Sequence, residues 1–327
     1  MNVLKAVKER KMDTGKSGKI KTDKNILGYE HPLDHALMME YIDEFSRRYS
    51  ALGITSLGES IMGRSIPVLT IGEGKRAVLY VGAHHAMEWI TSVLLLRFVN
   101  EFSELAKTKS RVFSYDTKYL LSTRTIYVIP MLNPDGVDYQ INGVGEDNIL
   151  YDRLIKMNGG STDFSHWQAN ARGVDLNHNY NCGFSEYKSI ESELGISDGA
   201  PTRFSGYMPE SEPEVASLCN FLRFNDNIEM IITLHTQGEE IYYTSGGSAP
   251  ARSRSIGGAL SRLCGYKLSV PEGAAAYGGL TDWAISELGR PCFTVECGKG
   301  KNPLPLSDYF GIYSNIREML FAAPMFL

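Results

Sequence analysis

Three apolar runs in this sequence stop on residues able to bind a metal or move a proton. "RAVLYVGA", residues 76–83, is followed by His84 and His85, with Glu88 three residues after His85. "IEMIITLH" stops on His235, and "CFTVE" stops on Glu296. An imidazole or carboxylate at the end of a buried run is costly to desolvate unless it binds something. His85, Glu88 and His235 together form a set of Zn2+ ligands that leaves a fourth position to water. The spacing His85-x-x-Glu88 lets one turn present two ligands, and the distant His235 closes the site. Glu296 is then the second carboxylate that zinc-assisted hydrolysis needs, a base for the water proton. Each residue alone reads as an ordinary strand end. The combination carries the inference, because ligands collect beyond the carboxyl ends of strands in open α/β sheets.

The surrounding pattern supplies those strands. In "HPLDHALMMEYIDEFSRRYS", residues 31–50, apolar residues at Leu33, Leu37, Met38, Tyr41, Ile42 and Phe45 predict an amphipathic helix. "ITSLGES" and "SIPVLTIG" read as a hairpin, residues 89–106 as a helix on the sheet, and 123–132 as a strand halted by the turn "NPDG". "PESEPEVASLCNFLRFN" reads as a helix with acids at its start. Residues 140–205 are polar and rich in Gly, Asn and Ser, so long loops are expected there. The alternation of strands and helices predicts a single α/β domain: a mixed, mostly parallel central sheet with helices on both faces.

Composition narrows the partners. A formal charge of −5 gives no case for nucleic acid. The charge is uneven: residues 1–24 carry eight Lys/Arg and three Asp/Glu, so a basic, flexible leader is expected over 1–28 and the folded domain over 29–327. The leader lacks the apolar core of a secretory signal, and no stretch has the length of a membrane span. Five widely spread cysteines, without zinc-ribbon or redox spacing, read as reduced thiols of a cytoplasmic protein.

Six blocks, in order, also carry a resemblance: "GAHHAMEWIT", "IPMLNPDG", "GVDLNHNY", "ITLHTQG", "YGGLTDW" and "FTVECG" resemble the signature blocks of the zinc carboxypeptidase family. The likeness runs from about residue 33 to the C-terminus. "WQANARGVDLNHNY" and "VECGKGKNPLP" are most similar to its bacterial branch of γ-D-glutamyl-meso-diaminopimelate peptidases, which cleave cell-wall peptides. The resemblance implies one Zn2+ held by His85, Glu88 and His235, with Glu296 as general base and proton shuttle. It also implies that Asp175 hydrogen-bonds the first zinc histidine and fixes its tautomer. Asn133 to Gly136 match a structural turn, and His84 stands where the family tends to have an apolar bystander.

The departures bear on the substrate. Where carboxypeptidases clamp a C-terminal carboxylate with an Asn-Arg pair, this chain has Asn177 and His178. Histidine is neutral or half-charged near neutral pH and lacks the bidentate fork, so the clamp is weakened. Gln168 stands where carboxypeptidase A has its oxyanion arginine; the nearest cation, Arg172, is the nominated oxyanion or substrate-carboxylate partner, against a structural salt bridge. The mobile tyrosine of digestive relatives falls at Ala274, with Tyr277 as its nearby substitute or else a packed loop residue. The residue that sets side-chain preference falls at Thr281, suited to a polar, zwitterionic side chain.

The expectation is therefore a zinc peptidase hydrolysing the γ-D-glutamyl bond to meso-diaminopimelate in peptidoglycan stem peptides or muropeptides. The alternatives are a metallocarboxypeptidase trimming ordinary peptides, an amidohydrolase of small N-acyl amino acids, and a non-catalytic binder of wall fragments.

Overall fold

Asp34 opens the first described helix by accepting the Leu37 N–H at 2.9 Å. The computed structural model describes residues 31–108, 111–113 and 115–327, so the leader expected at 1–28 lies outside the described residues. That helix, α1 (His35–Arg48), buries Met38, Ile42 and Phe45, the stripe that its apolar spacing predicts. β1 (Gly53–Glu59) and β2 (Ser65–Ile71) form the expected antiparallel hairpin, with Ile54 opposite Leu69. β3 (Arg76–Val81) is followed by α2 (Ile90–Thr108), a small ribbon of β4 (Arg111–Val112) and β5 (Tyr115–Asp116), then α3 (Thr117–Thr123) and β6 (Arg124–Ile129).

Two stretches differ from expectation. "NPDG" does halt β6, but as the start of α4 (Pro134–Asn142): the Asn133 side chain accepts the Gly136 N–H, and Pro134 fills the first turn, where its missing N–H costs nothing. Residues 140–205 are not loops throughout. They contain α5 (Tyr151–Met157) and α6 (Phe184–Glu193), and a small core of Tyr139, Leu154, Phe164 and Trp167 orders the first part. Polar composition hid these few aromatic anchors.

The chain then runs through α7 (Pro213–Phe224), β7 (Ile228–His235), β8 (Glu240–Tyr242), α8 (Ser253–Cys264), β9 (Lys267–Ser269), α9 (Leu280–Leu288), β10 (Cys292–Glu296) and α10 (Tyr309–Ala322). The sheet has eight strands in the order β1-β2-β6-β3-β7-β10-β8-β9. Its centre, β6-β3-β7-β10, is parallel; β2 on one side and β8 on the other run antiparallel to it. Alternate side chains of β3 feed opposite cores, as the two-residue period requires. Val78 and Tyr80 pack with α1, α2, α8 and α10, whereas Ala77, Leu79 and Val81 pack with α7 and α9. A parallel sheet covered on both faces is the predicted architecture. Its consequence for function is positional: β3, β7 and β10 all deliver their last residues to one edge.

Among the described residues no helix is long and apolar enough to cross a membrane.

Candidate active site

The chain turns sharply after β3. A Cβ on Gly82 would lie 2.7 Å from the Pro130 carbonyl oxygen, so only glycine allows that approach. Ala83 takes φ 47°, pinned by its N–H to Thr91 Oγ1 (2.9 Å) and by the Asn133 N–H to its carbonyl (3.0 Å). Such backbone strain persists only where the surroundings over-determine it. The bend sends His84 inward and His85 across the strand ends. His84 is fully buried, bonded to the Tyr180 hydroxyl at 2.9 Å, and its ring stacks 5.2 Å from that of His235. The residue expected to be a bystander therefore supports a ligand from beneath.

His85, Glu88 and His235 converge as the sequence implied, with one ligand atom from each lying within 4.8 Å of the others. His85 Nδ1 is 2.9 Å from Glu88 Oε1 and 3.3 Å from His235 Nδ1, which is 3.1 Å from Glu88 Oε2. The opposite nitrogen, His85 Nε2, donates to Asp175 Oδ1 at 3.1 Å. That bond leaves the Nδ1 lone pair aimed at a carboxylate and a second imidazole. These atoms repel one another unless a cation lies among them, and imidazole nitrogens with one carboxylate are the donors zinc takes. The residues fit the metal.

Asp175 is buried and held from several sides. Gln168 Nε2 donates to its Oδ2 at 3.0 Å, and the N–H groups of Asn177 and Arg203 also reach it. Burial alone would raise its pKa, but the facing imidazoles and these donors hold it well below the usual carboxylate range. Gln168 thus spends its amide on Asp175, its Oε1 accepting from Thr202 at 3.2 Å. Arg172, nominated as an oxyanion or substrate-carboxylate partner, is not brought to the site. A turn at Asn170 reverses the chain, and the Arg172 guanidinium lies 3.7 Å from the buried Glu212 carboxylate. Arg172 is therefore placed in an ion pair with Glu212, and it does not line the cavity.

A cavity of about 280 Å³ opens beside the three ligands, and Glu296, Asn177, His178 and Thr281 line it. A larger one, about 510 Å³, lies near the C-terminal ends of α1 and α2, at the opposite edge of the sheet, without a comparable set of functional groups. Glu296 pairs in register with His235 across β10 and β7. Its carboxylate makes no hydrogen bond within the described residues, and burial and the neighbouring Glu88 push its pKa up. Asn177 accepts the Leu280 N–H through Oδ1 at 3.2 Å, which leaves its NH2 group for a ligand. His178 donates its Nδ1–H to the Tyr277 carbonyl at 2.8 Å, and its ring stacks on Tyr187 at 3.7 Å. Burial lowers its pKa, so it is a neutral acceptor at Nε2. Tyr277 itself packs on the Gly183 backbone and is not part of the cavity wall.

Sequence reasoning missed several wall residues, Thr236 and Thr294 among them. Asn302 donates to the Thr236 carbonyl at 2.9 Å and approaches Glu88 Oε1 at 3.4 Å. Tyr242, Thr244 and Asp282 also line the cavity. Burial raises Asp282 to about 6, against the Gly279 N–H and the Ser245 hydroxyl, which favour the carboxylate. No Lys or Arg lines the cavity among the described residues.

The profile of the family described as zinc carboxypeptidase matches residues 38–319, a span that includes every residue of this site. The chain is 32% identical over 280 residues to gamma-D-glutamyl-L-diamino acid endopeptidase 1 of Lysinibacillus sphaericus, covering 86% of this chain and 69% of that protein. It is 26% identical over 283 residues to carboxypeptidase B of Astacus astacus, covering 80% and 85% respectively. Bovine thrombin-activatable fibrinolysis inhibitor, solved with tick carboxypeptidase inhibitor, matches with a TM-score of 0.69 at 22% identity over 91% of this chain and 98% of that one. Carboxypeptidase A of Helicoverpa armigera also matches at 0.69, with 19% identity over 91% and 74%. The last two show the shared fold. The profile match runs from α1 into α10, through all three strand ends that border the candidate site, and the chain belongs to the zinc carboxypeptidase family.

Proposed function

We propose that this protein is a peptidase that hydrolyses the γ-D-glutamyl bond to a diamino acid, such as meso-diaminopimelate, in peptidoglycan stem peptides or muropeptides. The observation that carries this reading is the missing carboxylate clamp. His178 has committed its Nδ1–H to the Tyr277 carbonyl, and among the described residues no Lys or Arg lines the cavity. A free C-terminal carboxylate finds no fixed positive charge from the wall. A substrate extended past the cut, or one bearing an amine, suits the acidic wall better. The name of the Lysinibacillus relative supports the same class. The five cysteines are all free, which supports a reducing compartment such as the cytoplasm.

His85, Glu88 and His235 would hold the zinc on which the family depends. When bound, zinc supplies Lewis acidity that polarises the scissile carbonyl and acidifies water. Asp175 keeps the His85 ring in the tautomer that presents Nδ1. Glu296 takes a proton from the attacking water as the new C–O bond forms. It then returns that proton to the departing nitrogen as the C–N bond breaks. Its lack of hydrogen-bond partners within the described residues and its raised pKa suit a group that must alternate between acid and base. The Asn177 NH2 group orients a substrate carbonyl or carboxylate.

The test is hydrolysis of L-Ala-γ-D-Glu-meso-diaminopimelate beside blocked dipeptides ending in Phe and in Lys, each with and without a zinc chelator. Chelator-sensitive release of diaminopimelate, with both dipeptides intact, is the expected result. Cleavage of the dipeptides alone would make the protein a carboxypeptidase with a rebuilt clamp.

A further inference from the structure

Asn177 and His178 are neighbours in one turn of 3-10 helix, Leu176–His178, and both line the cavity. One short stretch of backbone fixes the hydrogen-bonding sense of each. A carbonyl oxygen only accepts, so the 2.8 Å contact between the Tyr277 carbonyl and His178 Nδ1 places the ring hydrogen on Nδ1. Nε2 of the neutral ring is then a lone-pair acceptor, and burial, which lowers the pKa of this imidazole, opposes a second proton. Three residues after Tyr277, the Leu280 N–H donates to Asn177 Oδ1 at 3.2 Å, so the free end of that amide is its NH2 group. Neither side chain can turn over without losing a backbone partner. Tyr187 stacks on the His178 ring at 3.7 Å and 13° and holds it further. A Cβ on Gly278 would lie 2.9 Å from the His178 carbonyl oxygen, so the Tyr277–Leu280 loop lies directly against the pair. Asn177 Nδ2 and His178 Nε2 have no hydrogen-bond partner among the described residues, and neither atom is enclosed.

The pair therefore offers one donor beside one acceptor. A carboxylate presents acceptors alone: one oxygen suits Asn177, and the other meets the lone pair of His178. The carboxyl carbon of a peptide residue otherwise ends as an amide, which carries an acceptor and a donor. We infer that Asn177 and His178 form a subsite for an amide on the carboxyl carbon of the residue released as the amine, its oxygen on Asn177 Nδ2 and its N–H on His178 Nε2. This rests on the peptidase reading above and names the group that takes the place of the carboxylate. The subsite selects by repulsion as well as by contact, since the His178 lone pair opposes the second oxygen of an acid. Two sources supply such an amide, a terminal carboxamide and a peptide bond to a further residue. A carboxamide presents its oxygen and one N–H side by side, as two neighbouring contacts require. A trans peptide bond points its N–H away from its oxygen and makes one contact at a time. The expected order is carboxamide, then extended peptide, then free acid.

The experiment compares γ-D-glutamyl-L-lysine, its carboxamide and its D-alanyl extension as substrates of the zinc-loaded parent and of His178→Phe. Phenylalanine keeps a ring to stack on Tyr187 and has neither nitrogen. The parent should favour the carboxamide over the free acid in kcat/KM by on the order of 100-fold. The difference should lie in KM, because the contact is made by bound substrate and transition state alike. The acidic wall also disfavours a carboxylate, and that share of the preference persists in the variant. The His178 share does not, so the ratio should fall about tenfold. A peptide extension that outranks the carboxamide keeps the subsite and assigns the amide to the next peptide bond. A parent that cuts acid and amides equally, or a ratio unchanged in folded His178→Phe, overturns the subsite. Should the variant not fold, the parent order alone decides. The same three ligands in α-linkage separate the two readings: an amide preference seen only with α-linked substrates keeps the subsite and removes the γ-D-glutamyl assignment. If neither linkage is cut, calorimetric titration with lysinamide and lysine decides, since tighter lysinamide binding that His178→Phe weakens supports the subsite and equal binding overturns it.

Discussion

The Nδ1–H of His178 donates to the carbonyl oxygen of Tyr277, 2.8 Å away, and this bond decides what kind of group position 178 can meet. With Nδ1 committed and burial opposing a second proton, Nε2 is a hydrogen-bond acceptor. A carboxylate is also an acceptor, so the two do not pair. An arginine there would offer a charged fork worth about 1.5–3 kcal/mol to a carboxylate, or about 10–100-fold. We expect His178→Arg to raise kcat/KM for peptides with a free C-terminal carboxylate relative to their amides. Steady-state kinetics on an acid–amide pair checks this. An unchanged ratio would mean that position 178 does not face the substrate terminus.

Glu296 ends β10 in register with His235 and lies outside the group of ligand atoms. Replacing it by Gln should remove proton transfer and leave metal binding alone. The expected fall in kcat is on the order of 1000-fold, within the usual range for a general acid–base group. Zinc content by atomic absorption should stay at one per chain. A variant that keeps most of its activity would assign the proton transfers elsewhere.

Asn302 and Thr236 bracket the metal carboxylate. Thr236 donates its hydroxyl to Asn302 Oδ1 at 2.7 Å, Asn302 donates back to the Thr236 carbonyl, and the Thr236 N–H reaches Glu88 Oε2 at 3.2 Å. Groups that orient metal ligands are commonly worth about 10–100-fold in metal affinity. Asn302→Leu should weaken zinc binding by about that factor, and Asp175→Asn should do the same through His85. Competition against a chromogenic chelator measures both. Equal affinity in Asn302→Leu would show that Glu88 needs no such bracket.

Glu214 is fully buried at the start of α7, with Oε1 unpaired among the described residues and Asn170 3.4 Å from Oε2. Burial raises its pKa to about 8, with Glu212 and Asp135 adding to the effect. The unfolded chain releases this proton near the ordinary glutamate value, and the folded chain holds it to about pH 8. The folded state therefore binds more protons across that window, and stability falls as pH rises through it. Glu214→Gln removes the ionisation. Relative to the parent, it should gain at least about 1 kcal/mol between pH 5 and pH 8. Urea unfolding at the two pH values tests the sign, and a parallel pH dependence in both proteins would contradict it.

The candidate metal site was legible because His235 ends an apolar strand and His85 and Glu88 closely follow another. A strand with His235 last, and another with Glu296 last, places those side chains at the sheet edge whatever the loops do. The hairpin and the two covered faces were legible for the same reason, a period of two in apolar residues. The position of Arg172 was not legible, because nearness in sequence to Gln168 says nothing about the Asn170 turn, whose N–H bonds the Val174 carbonyl at 2.9 Å. Its partner Glu212 lies 40 residues on. Asp282 lies in α9 and Thr244 in the segment after β8, and no periodicity connects them before the chain folds. The helices within 140–205 rest on a few buried residues, such as Leu154 and Tyr187, too sparse to stand out from their polar neighbours.

The most direct measurement is the product analysis of L-alanyl-γ-D-glutamyl-meso-diaminopimelyl-D-alanine after exposure to the zinc-loaded protein, by mass spectrometry, with a chelated control. The expected products are L-alanyl-D-glutamate and diaminopimelyl-D-alanine, absent from the control. Release of D-alanine alone would contradict it, because that product requires recognition of a C-terminal carboxylate by a wall to which no described Lys or Arg contributes.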